Sequence, residues 1–188
     1  YSILQIIKNP LQDIPLVSVL ASRVFGFTAD DLAAIRCLKR NDSFYEALKK
    51  DTSLKSKAFC DVLQLLRQEA RISNLAQLIE TVFRLTRIDS IYSSMPDGMS
   101  RVDNLREFYK FAVDYEAGGR PELGQFIEYV QYLQTRGISS SSDCNPSGSV
   151  TVMSIHKSKG LEFPVVFLCG LSREFNREDA RAQVLCNN

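Results

Sequence analysis

Apolar residues recur every three or four positions from the start of the chain to about residue 137, and this spacing stops there. Such spacing places apolar side chains on one face of an α-helix, the face that a globular protein buries. Turn-forming residues interrupt the pattern at Asn9-Pro10, Gly26, Pro96-Asp97-Gly98 and Gly118-Gly119. Residues 1–137 are therefore predicted to form a helical domain.

Several helix ends are predicted from residues that satisfy unpaired backbone groups. Thr28 stands three residues before an acid, as in a capping box, and Asn41-Asp42-Ser43 breaks and recaps the chain. Ser73 is expected to cap the second half of the long helical stretch that contains it. Pro121 is expected in the first turn of the last helix, and Gly137 at its left-handed cap.

The composition changes at residue 138. Residues 138–149 carry six serines and few apolar side chains, which predicts a flexible connector. Beyond it, residues 150–154 and 165–169 are short β-branched or aromatic runs, typical of two strands. The predicted fold is thus mostly α: a helical domain, a connector, and a short α/β segment over residues 150–188.

The charge balance allows only a local polyanion site. The chain has 23 basic and 22 acidic residues, so its net charge of +1 gives no bulk attraction for nucleic acid. Residues 36–57, however, hold seven basic residues against three acids. The lysines considered for duplex contact there are Lys49, Lys50, Lys55 and Lys57, and a solvated mixed-charge face is the alternative.

Several classes of protein are unlikely from composition. The five cysteines form no CxxC pair and the chain has one histidine, which argues against a zinc site and favours reduced thiols in a cytoplasm. The longest apolar run, residues 165–169, is too short to cross a bilayer. The chain also lacks a phosphate-binding G-x-x-x-x-G-K-[ST] loop and starts at Tyr1 rather than Met, as expected of a piece of a longer protein.

The chemistry is concentrated between the two predicted strands. Residues 155–164 combine a histidine, two lysines, a serine, a glycine and a glutamate. A loop that leaves a buried parallel strand lies at the edge where open α/β sheets bind ligands, so these groups are suited to a phosphate. A solvated loop with incidental charges is the alternative.

Residues 150–167, VTVMSIHKSKGLEFPVVF, resemble motif V of the UvrD/Rep-type superfamily 1 DNA helicases. Residues 9–16, NPLQDIPL, resemble a signature of one branch of that family, the AddA (RexA) subunits of bacterial helicase-nucleases. The resemblance covers nearly the whole chain. Ser154 departs from the motif, since the family more often has threonine there. The resemblance implies that residues 1–137 are the accessory insertion called 2B, and that residues 150–188 return to a RecA-like motor domain.

The resemblance also assigns roles to two groups of motif residues. Contact with the single-stranded DNA backbone is expected of Ser154, His156 and Lys157, although a lysine at a loop tip is often only solvated. The nucleotide side is expected of Lys159, Gly160 and Glu162, the last at the ATP ribose. One loop would thereby touch both ligands, which would couple hydrolysis to movement.

By resemblance, the parent protein uses ATP and Mg²⁺ to move along DNA and resects double-strand breaks together with an AddB-like partner in the bacterial cytoplasm. The chain itself is expected to be inactive and to bind no cofactor, because it lacks the other ATP-site motifs and any nuclease carboxylate cluster. Two alternatives stay open: a helical protein-interaction or DNA-binding module with a vestigial motif V, and a UvrD-type helicase without a nuclease.

Two further expectations concern surfaces. Unpaired strand edges in residues 150–170 predict self-association of the isolated chain. Five tyrosines could stack on bases, although their helical spacing favours core positions. They are Tyr92, Tyr109, Tyr115, Tyr129 and Tyr132.

Overall fold

A computed structural model describes residues 1–119, 122–136, 150 and 152–169. The described residues are mostly helical, as predicted, and the chain divides into two units, Tyr1–Ser142 and Asp143–Asn188. Every helix of the described residues lies in the first unit. In chain order the helices are α1 (Ser2–Lys8), α2 (Asp13–Leu20), α3 (Ala29–Leu38), α4 (Phe44–Leu48), α5 (Leu54–Glu69), α6 (Leu75–Thr86), α7 (Ile88–Ser93), α8 (Gly98–Ala117) and α9 (Leu123–Thr135).

Side-chain caps determine where several helices begin. Thr28 and Asp31 exchange both hydrogen bonds of the capping box predicted for α3. Helix α6 begins one residue later than predicted, because Asn74 is its N-cap and exchanges both capping-box hydrogen bonds with Gln77. The hydroxyl of Ser73 instead donates to a carboxylate of the preceding helix. A capping box satisfies two backbone donors at once, which explains why Asn74 is preferred.

Other helix ends differ from the prediction or lie beyond the described residues. Helix α2 ends at Leu20, and Gly26 lies in the following turn at φ +63°. Helix α7 is not predicted by the apolar spacing; it begins directly after Arg87, which has a left-handed conformation. Pro121 and Gly137 lie outside the described residues, so their predicted roles stay predictions.

The helices of the first unit share one apolar core. Helix α1 packs on α2, α5 and α9, while α6 packs on α5, α7 and α8. Helix α4 joins α2 to α3. The largest fully buried apolar side chains of this core are Ile6, Leu16, Leu20, Leu48, Leu63, Leu66, Leu78, Ile79 and Phe126.

The signature segment of residues 9–16 has a structural role in this packing. The side chain of Asn9 accepts a hydrogen bond from the amide of Leu11, which forms the turn between α1 and α2. The carboxylate of Asp13 accepts a hydrogen bond of 2.7 Å from the amide of Phe44, the first residue of α4. Asp13 therefore ties the start of α2 to the start of α4.

The two predicted strands are absent from the described residues. Residues 150, 152–154 and 165–169 form no strand. A strand needs a neighbour to take its backbone hydrogen bonds, whereas the backbone hydrogen bonds found in this part of the described chain are those of turns. A β-branched composition favours extended backbone, but a sheet also requires partners that composition cannot supply. The predicted connector, residues 138–149, lies outside the described residues.

Candidate nucleic-acid and nucleotide interface

The motif segment of the second unit folds into a series of turns. The carbonyl oxygen of Ser154 accepts hydrogen bonds from the amides of Lys157 and Ser158, at 3.0 and 3.2 Å. Its hydroxyl oxygen accepts another from the amide of Lys157 at 3.3 Å. The hydroxyl of Ser158 donates to the carbonyl of Ile155 at 2.8 Å. Gly160 has φ +83°, a conformation that favours glycine. Short-range hydrogen bonds thus define the shape of this segment.

The six residues predicted from the motif all lie on the exposed surface of this segment. They are Ser154, His156, Lys157, Lys159, Gly160 and Glu162. Within the described residues, none of their charged side chains forms an ion pair. Because the Ser154 hydroxyl accepts its hydrogen bond, its own O–H remains able to donate to an oxygen of a ligand. The segment therefore presents two ammonium groups, an imidazole and a hydroxyl within six residues.

Apolar side chains after the turns are exposed as well. Val165 and Val166 are 70% and 71% exposed, and Phe167 is 82% exposed. A contiguous apolar run of this kind usually marks a surface that contacts another part of a protein. The motif segment is therefore accompanied by an apolar surface that the described residues do not cover.

The four candidate lysines of the first unit fall into two classes. Lys49 forms an ion pair with Glu46 and lies 5.1 Å from the centre of the Tyr45 ring. The hydrogen bond to Glu46 raises the pKa of Lys49. Lys50, its neighbour, is exposed and forms no ion pair with a described residue. Lys49 is thus largely neutralised locally, whereas the charge of Lys50 is available to a ligand.

Lys55 and Lys57 show the same division. The ammonium of Lys55 donates to the carbonyl of Gly26 at 2.6 Å and to the carboxylate of Asp31 at 2.9 Å. It also lies 4.6 Å from the centre of the Phe27 ring. Lys57 is exposed, and no described residue pairs with it. Lys55 therefore joins the start of α5 to the start of α3.

Sequence reasoning missed this division for two different reasons. The pair of Glu46 and Lys49 follows helical i, i+3 spacing and could have been read from the sequence. Lys55 and Asp31 are separated by 24 residues, so only the folded chain brings them together. Among the residues that the structure describes, no group of three histidine, cysteine or acidic side chains could hold a metal ion. No helix of the described segments is long and apolar enough to span a membrane.

Comparisons with known proteins bear on the whole chain. Residues 2–176 match the profile of the UvrD-like helicase C-terminal domain. Proteins named as ATP-dependent helicase/nuclease subunits of the AddA type are 37% identical in Heliobacterium modesticaldum and 39% identical in Ruminiclostridium cellulolyticum, over 98% of this chain in each case. The relative of the same name from Lactobacillus delbrueckii subsp. bulgaricus is 40% identical over 93% of the chain. The chain spans only 15 to 16% of the length of these relatives.

Proposed function

This chain belongs to the UvrD-like helicase C-terminal domain family, and from that premise we propose that it is part of an AddA-type helicase-nuclease that acts on DNA ends in double-strand break repair. The observation that carries the proposal is the match over residues 2–176, which includes both the helical unit and the motif segment. The relatives named as helicase/nuclease subunits favour this proposal over a UvrD-type helicase without a nuclease. An AddB-like partner and a place in the bacterial cytoplasm belong to the same proposal.

The motif segment would contact single-stranded DNA through Ser154, His156 and Lys157. All three are exposed, and the free O–H of Ser154 can donate to a phosphate oxygen. Contacts of this kind position the strand without reading its sequence. The departure from threonine at residue 154 therefore preserves the group that such a contact uses.

The same turns would form one edge of a nucleotide site. Lys159, Gly160 and Glu162 are exposed beside the proposed DNA contacts, and a lysine near a glycine backbone suits a phosphate. ATP with Mg²⁺ would supply the free energy for movement in the parent protein. The described residues fit only part of such a site, since they hold no metal-binding cluster. We expect the pure chain to hydrolyse ATP at the background rate; hydrolysis above background would contradict this assignment.

The helical unit would contact duplex DNA through its unpaired lysines. Of the four candidates, Lys50 and Lys57 have no ion-pair partner among the described residues, whereas Lys49 and Lys55 each pair with a carboxylate. An unpaired lysine can release a counterion when it meets a phosphate, which is the main source of non-specific DNA affinity. Lys50 and Lys57 are therefore the residues expected to contribute most.

Fluorescence anisotropy of a labelled DNA hairpin with a single-stranded tail tests these contacts. The whole chain is titrated at two salt concentrations, because phosphate contacts weaken as salt rises. Replacing a lysine that touches a phosphate should lower the slope of log affinity against log salt by about 1. We expect this change for Lys50→Gln and a smaller one for Lys49→Gln, the matched control at the adjacent position.

Two results would contradict the proposed DNA contacts. Equal losses for Lys49→Gln and Lys50→Gln would mean that general charge, not an unpaired lysine, attracts the hairpin. No binding at low salt would leave the first unit as a scaffold or protein-interaction domain. His156→Ala should reduce affinity for the tailed hairpin more than for a blunt hairpin if the motif segment holds the single strand.

A further inference from the structure

A groove lined by aromatic side chains lies between the end of α8 and α9 of the first unit, and none of the candidate lysines lines it. Its volume is about 650 Å³, within the range of about 300–1,000 Å³ that is usual for ligand sites. Its described lining residues are Phe111, Asp114, Tyr115, Gly118, Gly119, Gln125 and Tyr129. The groove is therefore large enough for several side chains of a ligand.

The aromatic rings of the groove form a nearly parallel set. The ring of Tyr129 is stacked on Tyr115, with centroids 4.9 Å apart and planes at 18°. It is also stacked on Phe111, with centroids 5.8 Å apart and planes at 8°. Phe126 contacts both neighbours from the core, while Tyr129 remains 37% exposed. The wall is thus rigid and apolar and still offers a ring to an incoming group.

The charge of the groove selects the class of ligand. Asp114 is the only charged residue among the described lining residues, and it is exposed. Glu122, the N-cap of α9, adds a second carboxylate close in sequence to Gln125. Carboxylates beside stacked rings attract a guanidinium or ammonium group, which can lie on a ring face and pair with the acid. The same carboxylates repel a phosphate backbone.

We propose that this groove binds an extended, arginine-containing and proline-containing segment of a partner protein. Extended proline-rich segments dock in aromatic grooves at low entropic cost. Gly118 and Gly119 expose backbone at one end, and a Cβ at Gly119 would meet no atom within 4 Å, so the ligand backbone has room there. Asp114 would pair with an arginine of the segment, and Tyr129 would stack on it or on a proline ring.

The test uses the whole chain and three labelled probes of ten units each. One probe is a peptide of alternating proline and arginine, the second replaces arginine by glutamate, and the third is single-stranded oligothymidylate. We expect only the arginine peptide to bind in fluorescence anisotropy. Asp114→Asn should weaken its binding by about fivefold or more, because the charge-assisted contact is lost.

Matched variants separate the groove from general charge. Asp103→Asn, on the same helix but in an ion pair with Arg106, should leave affinity for the peptide unchanged. Tyr129→Leu should weaken binding, whereas Tyr132→Leu, an exposed tyrosine one turn further along α9, should not. Asp114 is exposed, so its variant should fold normally even if Tyr129→Leu does not.

Three results would overturn the proposal. They are no binding of the arginine peptide, equal losses for Asp114→Asn and Asp103→Asn, and binding of oligothymidylate that depends on Tyr129. The last result would instead support base stacking. None of them bears on the hairpin contacts of Lys50, so the two proposals can fail independently.

Discussion

Among single residues, Lys55 combines more tertiary contacts than any other lysine considered for DNA binding. It joins the carbonyl of Gly26, the carboxylate of Asp31 and the ring of Phe27. Replacing it with alanine would leave α3 and α5 without this link. We therefore expect Lys55→Ala to lower the urea midpoint of unfolding, measured by circular dichroism, while Lys57→Ala leaves it nearly unchanged. Equal midpoints for the two variants would contradict the structural role of Lys55.

Asp51 makes stability depend on pH. Hydrogen bonds from the hydroxyls of Ser53 and Ser56 lower the pKa of its carboxyl. A carboxyl with a lowered pKa in the folded state stabilises the protein above its unfolded-state pKa, and this contribution is lost as the pH falls through the folded-state value. At pH 7 we expect Asp51→Asn to lower the free energy of unfolding by about 1 kcal/mol.

The same experiment at low pH provides the control. The difference between the original chain and Asp51→Asn should shrink as the pH falls below about 4, the usual range of an aspartate. Urea titrations at several pH values measure it. A difference that is equal at neutral and acidic pH would mean that Asp51 acts through packing rather than through its charge.

At the scale of elements, the start of α8 depends on the absence of a side chain at Gly98. A Cβ there would overlap the carbonyl group of Ser93, the last residue of α7. Relief requires a backbone shift, so Gly98→Ala should lower the free energy of unfolding by about 1–3 kcal/mol. Gly118→Ala, at the other end of α8, is the matched control, since its Cβ would lie 3.6 Å from the nearest oxygen. Equal unfolding curves for both variants would exclude this packing constraint.

Local signals predict helices well and helix ends less well. The capping box of Thr28 is readable because both of its partners lie within four residues. A serine at residue 73 also fits a cap, and only the folded chain shows that its hydroxyl is bonded elsewhere. Helix α7 escapes prediction because its six residues include no buried side chain and so give no apolar pattern.

For the molecule as a whole, sequence identifies the motif but not the contacts around it. Ser154 and His156 are found because their neighbours form a long recognisable run. Whether Lys49 or Lys50 carries free charge depends on side-chain pairing, and the groove beside Tyr129 depends on how two helices pack. The prediction of strands fails in the described residues because pairing is a property of neighbouring backbone, not of composition.

The distribution of the core predicts independent folding of the first unit. Every buried apolar residue of the described chain lies between Leu4 and Val130. A chain that ends at Ser142 should therefore keep the helical circular dichroism and the cooperative thermal transition of the whole chain. A lower midpoint in the shortened chain would show that residues 143–188 contribute to the stability of the first unit.

The same shortened chain tests self-association. The whole chain exposes the run Val165–Leu168, in which each side chain is more than half exposed. Extended apolar segments without partners pair with one another, because pairing buries apolar surface and satisfies backbone groups. Sedimentation of the whole chain should therefore show a mass that rises with concentration, whereas the chain ending at Ser142 should stay monomeric. Monomeric behaviour of both chains at micromolar concentrations would mean that this run stays solvated, and association of both would place the contact on the helical unit.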